Sequence, residues 1–232
     1  MENPFINTAL SGSSLRRLPV ICFDLDGTLI DPYLGISRSI ASALDRLGRP
    51  EIDVTDCRAF IGPSIQDTFQ RLLGPDAALV TKAVQYFRER YGEIGLLESA
   101  PYPEIPAMLA DLSAAASLFV CTSKPRVYAE RILRAFAIDR YFSGIYGSEF
   151  DGTRTGKSEL LSWLLAREGL SDRSIAMVGD RSFDIVAAKE NALPGIGVLW
   201  GYGSEKELAD AGARELLSEV RQLRSLPSII AS

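Results

Sequence analysis

The chain contains no histidine, and that absence removes whole classes of chemistry. A Ser-His-Asp triad, a phosphohistidine intermediate and a zinc site built on imidazole are all excluded. Acid–base or metal chemistry has to rest on carboxylates, lysine and hydroxyls. Cysteine is scarce: Cys22, Cys57 and Cys121 are widely spaced, and Cys22 and Cys121 lie in apolar runs. They read as small buried hydrophobes in a reducing compartment, not as a disulfide or zinc framework. No segment approaches the ~20 consecutive apolar residues needed to span a bilayer. A strong excess of one charge is also lacking, with a formal net charge of -5. Neither a nucleic-acid polymer nor a membrane is expected as a partner. The expectation is a cytoplasmic protein, monomeric or homodimeric.

What is present suffices for a full core: 232 residues, 47% of them hydrophobic, can bury an α/β domain and carry an accessory subdomain. Val20-Ile21-Cys22-Phe23 is an apolar run that stops at Asp24-Leu25-Asp26-Gly27-Thr28, the shape of a buried parallel strand feeding a polar loop. Leu118 to Cys121, ending in Thr122-Ser123-Lys124-Pro125, repeats the arrangement, as does Ile175 to Val178 ending in Gly179-Asp180. Gly195 to Leu199 predicts a fourth strand and the surroundings of Ile145-Tyr146 a weaker fifth. Helical patterns alternate with them: Ile105, Met108, Leu109 and Leu112; Tyr128, Ile132 and Phe136; then Leu160, Leu161, Leu164 and Leu165 before Gly169. Ser204 with Glu207 has the spacing of a capping box. The fold class expected is α/β, a Rossmann-like parallel sheet with helices on both faces and its site at the carboxyl edge.

The stretch from Tyr33 to Pro101 breaks the alternation and reads as helix throughout. Ile36, Ile40, Leu44 and Leu47 precede Gly48; Ile65, Phe69 and Leu72 precede Gly74; Val80, Val84, Phe87 and Tyr91 precede Gly92. Asp31-Pro32 and Pro101-Tyr102-Pro103 are candidate hinges at its two ends. The division expected is a discontinuous catalytic core over 19–32 and 103–226, an inserted helical cap over 33–102, and a loose leader over 1–18. A permanently packed helical layer is the alternative to a cap.

Period two along a strand would put Asp24 and Asp26 on one face. Carboxylates forced together repel unless a cation neutralises them. Asp180 and Asp184 form a second acidic pair after the third strand, and four carboxylates from two strand ends suit Mg2+. Two decoys fail on spacing: Gly152 to Lys157 is one residue short of a P-loop, and Cys121 to Arg126 is one short of a cysteine-phosphatase loop.

Phe23-Asp24-Leu25-Asp26-Gly27-Thr28-Leu29 resembles the first motif of the haloacid dehalogenase superfamily, in its phosphatase branch. Thr122 after a strand, Lys157, and Gly179-Asp180 with Asp184 resemble the second, third and fourth motifs, in order. The resemblance covers roughly Pro19 to Val220. It implies a Mg2+-dependent phosphomonoesterase in which Asp24 is the nucleophile and Asp26 the general acid and base. Thr122 would bind a phosphoryl oxygen, and Lys157 would supply positive charge. Asp180 would ligate Mg2+ with Asp24 and the Asp26 backbone carbonyl, and Asp184 would assist. The Thr-Ser-Lys-Pro sequence resembles phosphoglycolate phosphatase-like members, which implies a small phosphorylated metabolite as substrate. Ser123 and the Gly62-Pro63-Ser64 loop are further candidates to face it. A 5'-nucleotidase-like member, a phosphomutase of the β-phosphoglucomutase type and a non-catalytic binding module remain as alternatives. Lys124 and Arg181 sit beside the motifs, and a supporting role or an ordinary ion pair is open for both.

Overall fold

A computed structural model describes the chain from Leu18 to Ala231, so the leader expected over 1–18 falls, apart from Leu18, outside the described residues. The chain opens with β1 (Val20–Phe23) and the short β2 (Ile30–Asp31), then three helices, α1 (Tyr33–Arg46), α2 (Ile65–Leu73) and α3 (Ala77–Glu93). A second short strand, β3 (Ala100–Pro101), leads to α4 (Ile105–Ser113), β4 (Ser117–Pro125), α5 (Arg126–Ala135) and β5 (Gly144–Ser148). Next come α6 (Lys157–Arg167), β6 (Ile175–Gly179), α7 (Ser182–Glu190) and β7 (Gly195–Val198). The described chain ends with α8 (Glu205–Ala211), β8 (Glu215–Leu217) and α9 (Leu226–Ala231).

Six strands form one sheet in the order β5-β4-β1-β6-β7-β8, with every pairing parallel. The chain leaves β1 for β4 and β5 on one side, then returns to β6, β7 and β8 on the other. The carboxyl ends of β1, β4 and β6 therefore flank a topological switch point, where open α/β sheets build their sites. Strand alternation fills both faces. Ile21, Phe23, Leu118, Val120, Ala176 and Val178 enter one buried cluster, while Val20, Cys22, Phe119, Cys121, Ile175 and Met177 enter the other with α6 and α7. Burial pushes the Cys121 thiol up to about 12 and Cys22 well above its usual range, so both pack as neutral side chains.

The helical segment matches the predicted stripes: Ile36, Ile40, Leu44, Phe69, Val80, Val84, Phe87 and Tyr91 are all buried. Asp76 starts α3 by accepting from the backbone N–H groups of Ala78 and Leu79, at 3.0 Å each. Helix α3 runs through Gly92 to Glu93. A single glycine inside a helix costs only about 1 kcal/mol, and here a Cβ would come 3.1 Å from the Tyr128 hydroxyl. Leu47 and Phe136 fall one residue beyond their helices, as half-buried C-caps. The Ser204 box is only half made. Ser204 accepts from Glu207 N at 3.1 Å, but the Glu207 carboxylate turns to Ser182 and Arg181. The two expected hinges lie side by side, since β2 and β3 pair antiparallel. Among the described residues no helix is long and apolar enough to cross a membrane.

Candidate active site

β1 ends at Phe23, and the backbone then turns: Leu29 N and Ile30 N both donate to Leu25 O, at 2.9 and 3.0 Å. Gly27 holds this turn at φ +87, where a Cβ would also strike the Asp180 carboxylate at 2.2 Å. The strand geometry therefore does not persist to Asp26, and the two aspartates part company. Asp24, Asp180 and Asp184 are all buried, with carboxylate oxygens within 4.8 Å of one another. Asp26 turns its carboxylate to Lys124 Nζ at 2.6 Å and lies outside that trio. Both Asp24 and Asp26 still line one cavity of about 1260 Å3.

Lys157 closes the cluster, with Nζ 2.5 Å from Asp24 Oδ1 and 2.8 Å from Asp184 Oδ1. It is the first residue of α6, where the helix dipole disfavours a cation. Burial would also lower its pKa, yet Asp184 and Asp24 more than offset that and hold the ammonium above its ordinary range. Asp184 is pushed up to about 6, mainly by burial, with Lys157 opposing. Burial, then Asp24 and Asp184, raise Asp180 well above the carboxylate range.

Three carboxyl groups share one ammonium, so burial and mutual repulsion favour the protonated forms of Asp180 and Asp184 unless a cation joins them. Asp184 Oδ1 has Lys157 Nζ at 2.8 Å and no other polar partner, which leaves it room for a further ligand contact. The donor set is all oxygen and hard, and the trio fits a divalent cation. Asp180 is oriented from two sides, as Thr28 Oγ1 donates to Oδ1 at 3.3 Å and Tyr202 N to Oδ2 at 2.8 Å. At Gly201 a Cβ would lie 2.4 Å from the Asp180 side chain, and at Gly203 1.9 Å from its backbone oxygen.

Thr122 and Ser123 come from β4. The strand shifts register against β5 between Thr122 and Pro125, a distortion that re-aims side chains beside sites. Thr122 is buried, and its oxygen accepts from Lys124 N at 3.2 Å, which leaves its hydroxyl hydrogen for another acceptor. Ser123 lines the cavity, and its carbonyl accepts from Ser148 Oγ at 2.8 Å. Gly62, Pro63 and Ser64 line the cavity too, but the Ser64 hydroxyl is engaged at the start of α2, accepting from Asp67 N at 3.1 Å.

The two open cations are both structural links to the helical segment. Lys124 Nζ also donates to the Tyr91 hydroxyl on α3, at 2.6 Å. Arg181 pairs with Glu207 at 3.0 Å and donates Nη1 to the Ile61 carbonyl beside Gly62. Sequence reasoning missed Tyr91, Thr28, Gly201 and Tyr202. Gly201-Tyr202-Gly203 carried a signal, as a glycine-rich loop after a fourth strand at the same edge. Tyr91 carried none, because it completes an apolar helical stripe.

The chain matches the family described as haloacid dehalogenase-like hydrolase over residues 21–198. It is 44% identical over 211 residues to a 5'-nucleotidase of Pseudomonas aeruginosa, covering 90% of this chain and 96% of that protein. A phosphoglycolate phosphatase of Yersinia pestis is 30% identical over 215 residues, covering 90% and 92%. Among solved structures, a predicted phosphatase from Clostridium acetobutylicum superposes with a TM-score of 0.85 at 32% identity, covering 93% of this chain and all of that one.

Proposed function

The chain belongs to the haloacid dehalogenase-like hydrolases and is a phosphatase of that family; from that premise we propose that it cleaves small phosphomonoesters through an aspartyl phosphate on Asp24. The observation that carries this reading is the separation of the two aspartates. Asp24 is drawn into the carboxylate cluster beside Lys157, while Asp26 is held on Lys124 in the same cavity.

Asp24 attacks phosphorus, forming a carboxyl–phosphoryl bond as the ester oxygen departs. Asp26 protonates that oxygen, then takes a proton from the water that attacks phosphorus and frees Asp24. Burial raises the Asp26 pKa, with Lys124 opposing, which favours a carboxyl that can carry a proton. Thr122 turns its spare hydroxyl hydrogen to a phosphoryl oxygen, and Lys157 offsets charge building on the transferring group. Asp24, Asp180, Asp184 and the Asp26 backbone carbonyl would hold Mg2+. When bound it offsets the repulsion between the nucleophile and the phosphate dianion.

The helical segment over 33–102 acts as the cap in this reading, since the cavity is walled jointly by its residues and by the sheet edge. Substrates are then small soluble monoesters. The cavity is far larger than a two-carbon phosphate fills, and it is walled by Phe60, Phe87, Tyr128, Phe150 and Phe183. Phe150 is 43% exposed, with the Arg88 guanidinium 5.0 Å from its ring. Aromatic faces of this kind stack on bases. With the 44% identical 5'-nucleotidase, this supports a nucleoside 5'-monophosphate over phosphoglycolate.

The test is phosphate release from a panel of nucleoside monophosphates, phosphoglycolate and sugar phosphates, with metal-stripped protein given back Mg2+. A nucleotide should show the highest kcat/KM. Phosphoglycolate ranking first would overturn the substrate choice, and no release from any monoester would overturn the whole reading.

A further inference from the structure

Tyr91 completes the apolar stripe of α3, where any large apolar side chain would satisfy the pattern. It is 2% exposed; its ring stacks on Phe87 at 5.1 Å and meets Tyr128 edge-on at 5.6 Å. A phenylalanine would pack the same way. The hydroxyl is therefore the part of Tyr91 that packing does not explain, and a buried hydroxyl without a partner is costly. Its partner is Lys124 Nζ at 2.6 Å, and the same ammonium donates to Asp26 at 2.6 Å. The Lys124 and Asp26 side chains are themselves only 6% and 12% exposed.

Lys124 lies where β4 loses its register against β5, so its backbone does not by itself dictate where a long side chain ends. Two fixed partners dictate it instead, one on the sheet edge and one on the helical segment. We propose that Tyr91 is a positioning residue for the general acid: its hydroxyl fixes the Lys124 ammonium, which fixes the Asp26 carboxyl toward the leaving oxygen. The inference rests on the role given to Asp26 above. It also makes the acid conditional on α3 being seated, because the contact needs both surfaces together. Proton delivery is then set only when the site is covered, and water is excluded at the same moment.

The distinguishing readout is leaving-group dependence, which loosened packing would not alter. An alkyl oxygen needs a proton to depart, whereas nitrophenolate does not. Single-turnover phosphorylation would be followed with 4-nitrophenyl phosphate and glycerol phosphate in Tyr91→Phe, Lys124→Met, the double variant and Asp26→Ala. Misplacement by about 1 Å can cost 10²-fold. Tyr91→Phe should slow the alkyl substrate about tenfold and at least about fivefold more than the aryl substrate. The double variant should be no slower than Lys124→Met, because Tyr91 acts through Lys124. Should Lys124→Met fail to fold, the Tyr91→Phe comparison decides alone. Equal slowing of both substrates by Tyr91→Phe, while Asp26→Ala remains selective for the alkyl ester, overturns the positioning role and leaves the general acid standing. If Asp26→Ala itself slows both equally, the general-acid assignment falls and takes this inference with it.

Discussion

At the sheet edge the protein buries Asp24, Asp180, Asp184 and Lys157 together with Thr28, Thr122 and Ser148; across the helices from Tyr33 to Glu93, the buried polar side chains are the neutral Ser39 and Thr68. One region confines charge at the expense of stability, and the other contributes apolar packing and walls. Chemistry and stability are thus kept in separate places. Edge substitutions should remove chemistry and can relieve repulsion, whereas substitutions in the helices should cost stability or change which substrate is preferred. Among the contacts that cross between the regions, Lys124 to Tyr91 and Arg181 to the Ile61 carbonyl both start from cations on the edge.

The largest effect on this contrast is expected from Asp180→Asn. The amide oxygen can keep the Tyr202 N–H bond, and the amide NH2 can donate to a Thr28 hydroxyl that turns to accept, while an ionisable carboxyl leaves the cluster. Activity should fall on the order of 10²–10³-fold or more. Metal-free protein should at the same time become more stable by about 0.5–2 kcal/mol, read as a higher midpoint in urea. A loss of both activity and stability would erase the distinction between edge and helices.

Next is Gly201→Ala, whose Cβ would meet Asp180 at 2.4 Å. Partners that orient metal ligands are typically worth 10–100-fold in affinity, so Mg2+ titration by calorimetry should show weakening of that order. Unchanged affinity would mean that the glycine cage does not set the ligand. In the cavity wall, Phe150→Ala should raise KM for a nucleoside monophosphate by about 5-fold or more, from a stacking contribution of ~1–3 kcal/mol. The effect on an aryl phosphate should be smaller, and equal effects would remove Phe150 as a base-stacking surface. The smallest effect belongs to Ser64→Ala, which removes the α2 cap. Stability should drop by about 1 kcal/mol, with less change in substrate ranking than Phe150→Ala. A larger change in ranking would make Ser64 a substrate ligand after all.

The sheet was legible because strand burial and chemistry coincide in short local runs. Four apolar residues followed by a carboxylate or hydroxyl loop locate the ends of β1, β4 and β6 without tertiary information. The three-residue β8 and the paired strands β2 and β3 were not legible, being too short to carry a period. In the site, Asp24, Asp180, Asp184 and Lys157 were readable in sequence and converge in space. The direction of the Asp26 carboxylate was not, because it depends on a turn at Gly27 and on a lysine 98 residues away. Nor was the service of Tyr91, since a helical stripe records that a ring is buried and is silent on its hydroxyl. Arg181 shows the same limit: only the fold brings its guanidinium to Ile61, 120 residues earlier.

Passage of the phosphoryl group through Asp24 is best tested by acid quench with intact-protein mass measurement. Asp26→Ala mixed with 4-nitrophenyl phosphate and Mg2+ should release a burst of nitrophenol about equal to the enzyme. It should also gain one phosphoryl group, because hydrolysis of the intermediate loses its base, worth roughly 10²–10⁴-fold. Peptide mapping should place that group on Asp24. Asp24→Asn under the same conditions should gain none and show no burst. A phosphoryl group appearing on Asp24→Asn, or a phosphorylated residue other than Asp24 in Asp26→Ala, would contradict an Asp24 phosphoenzyme.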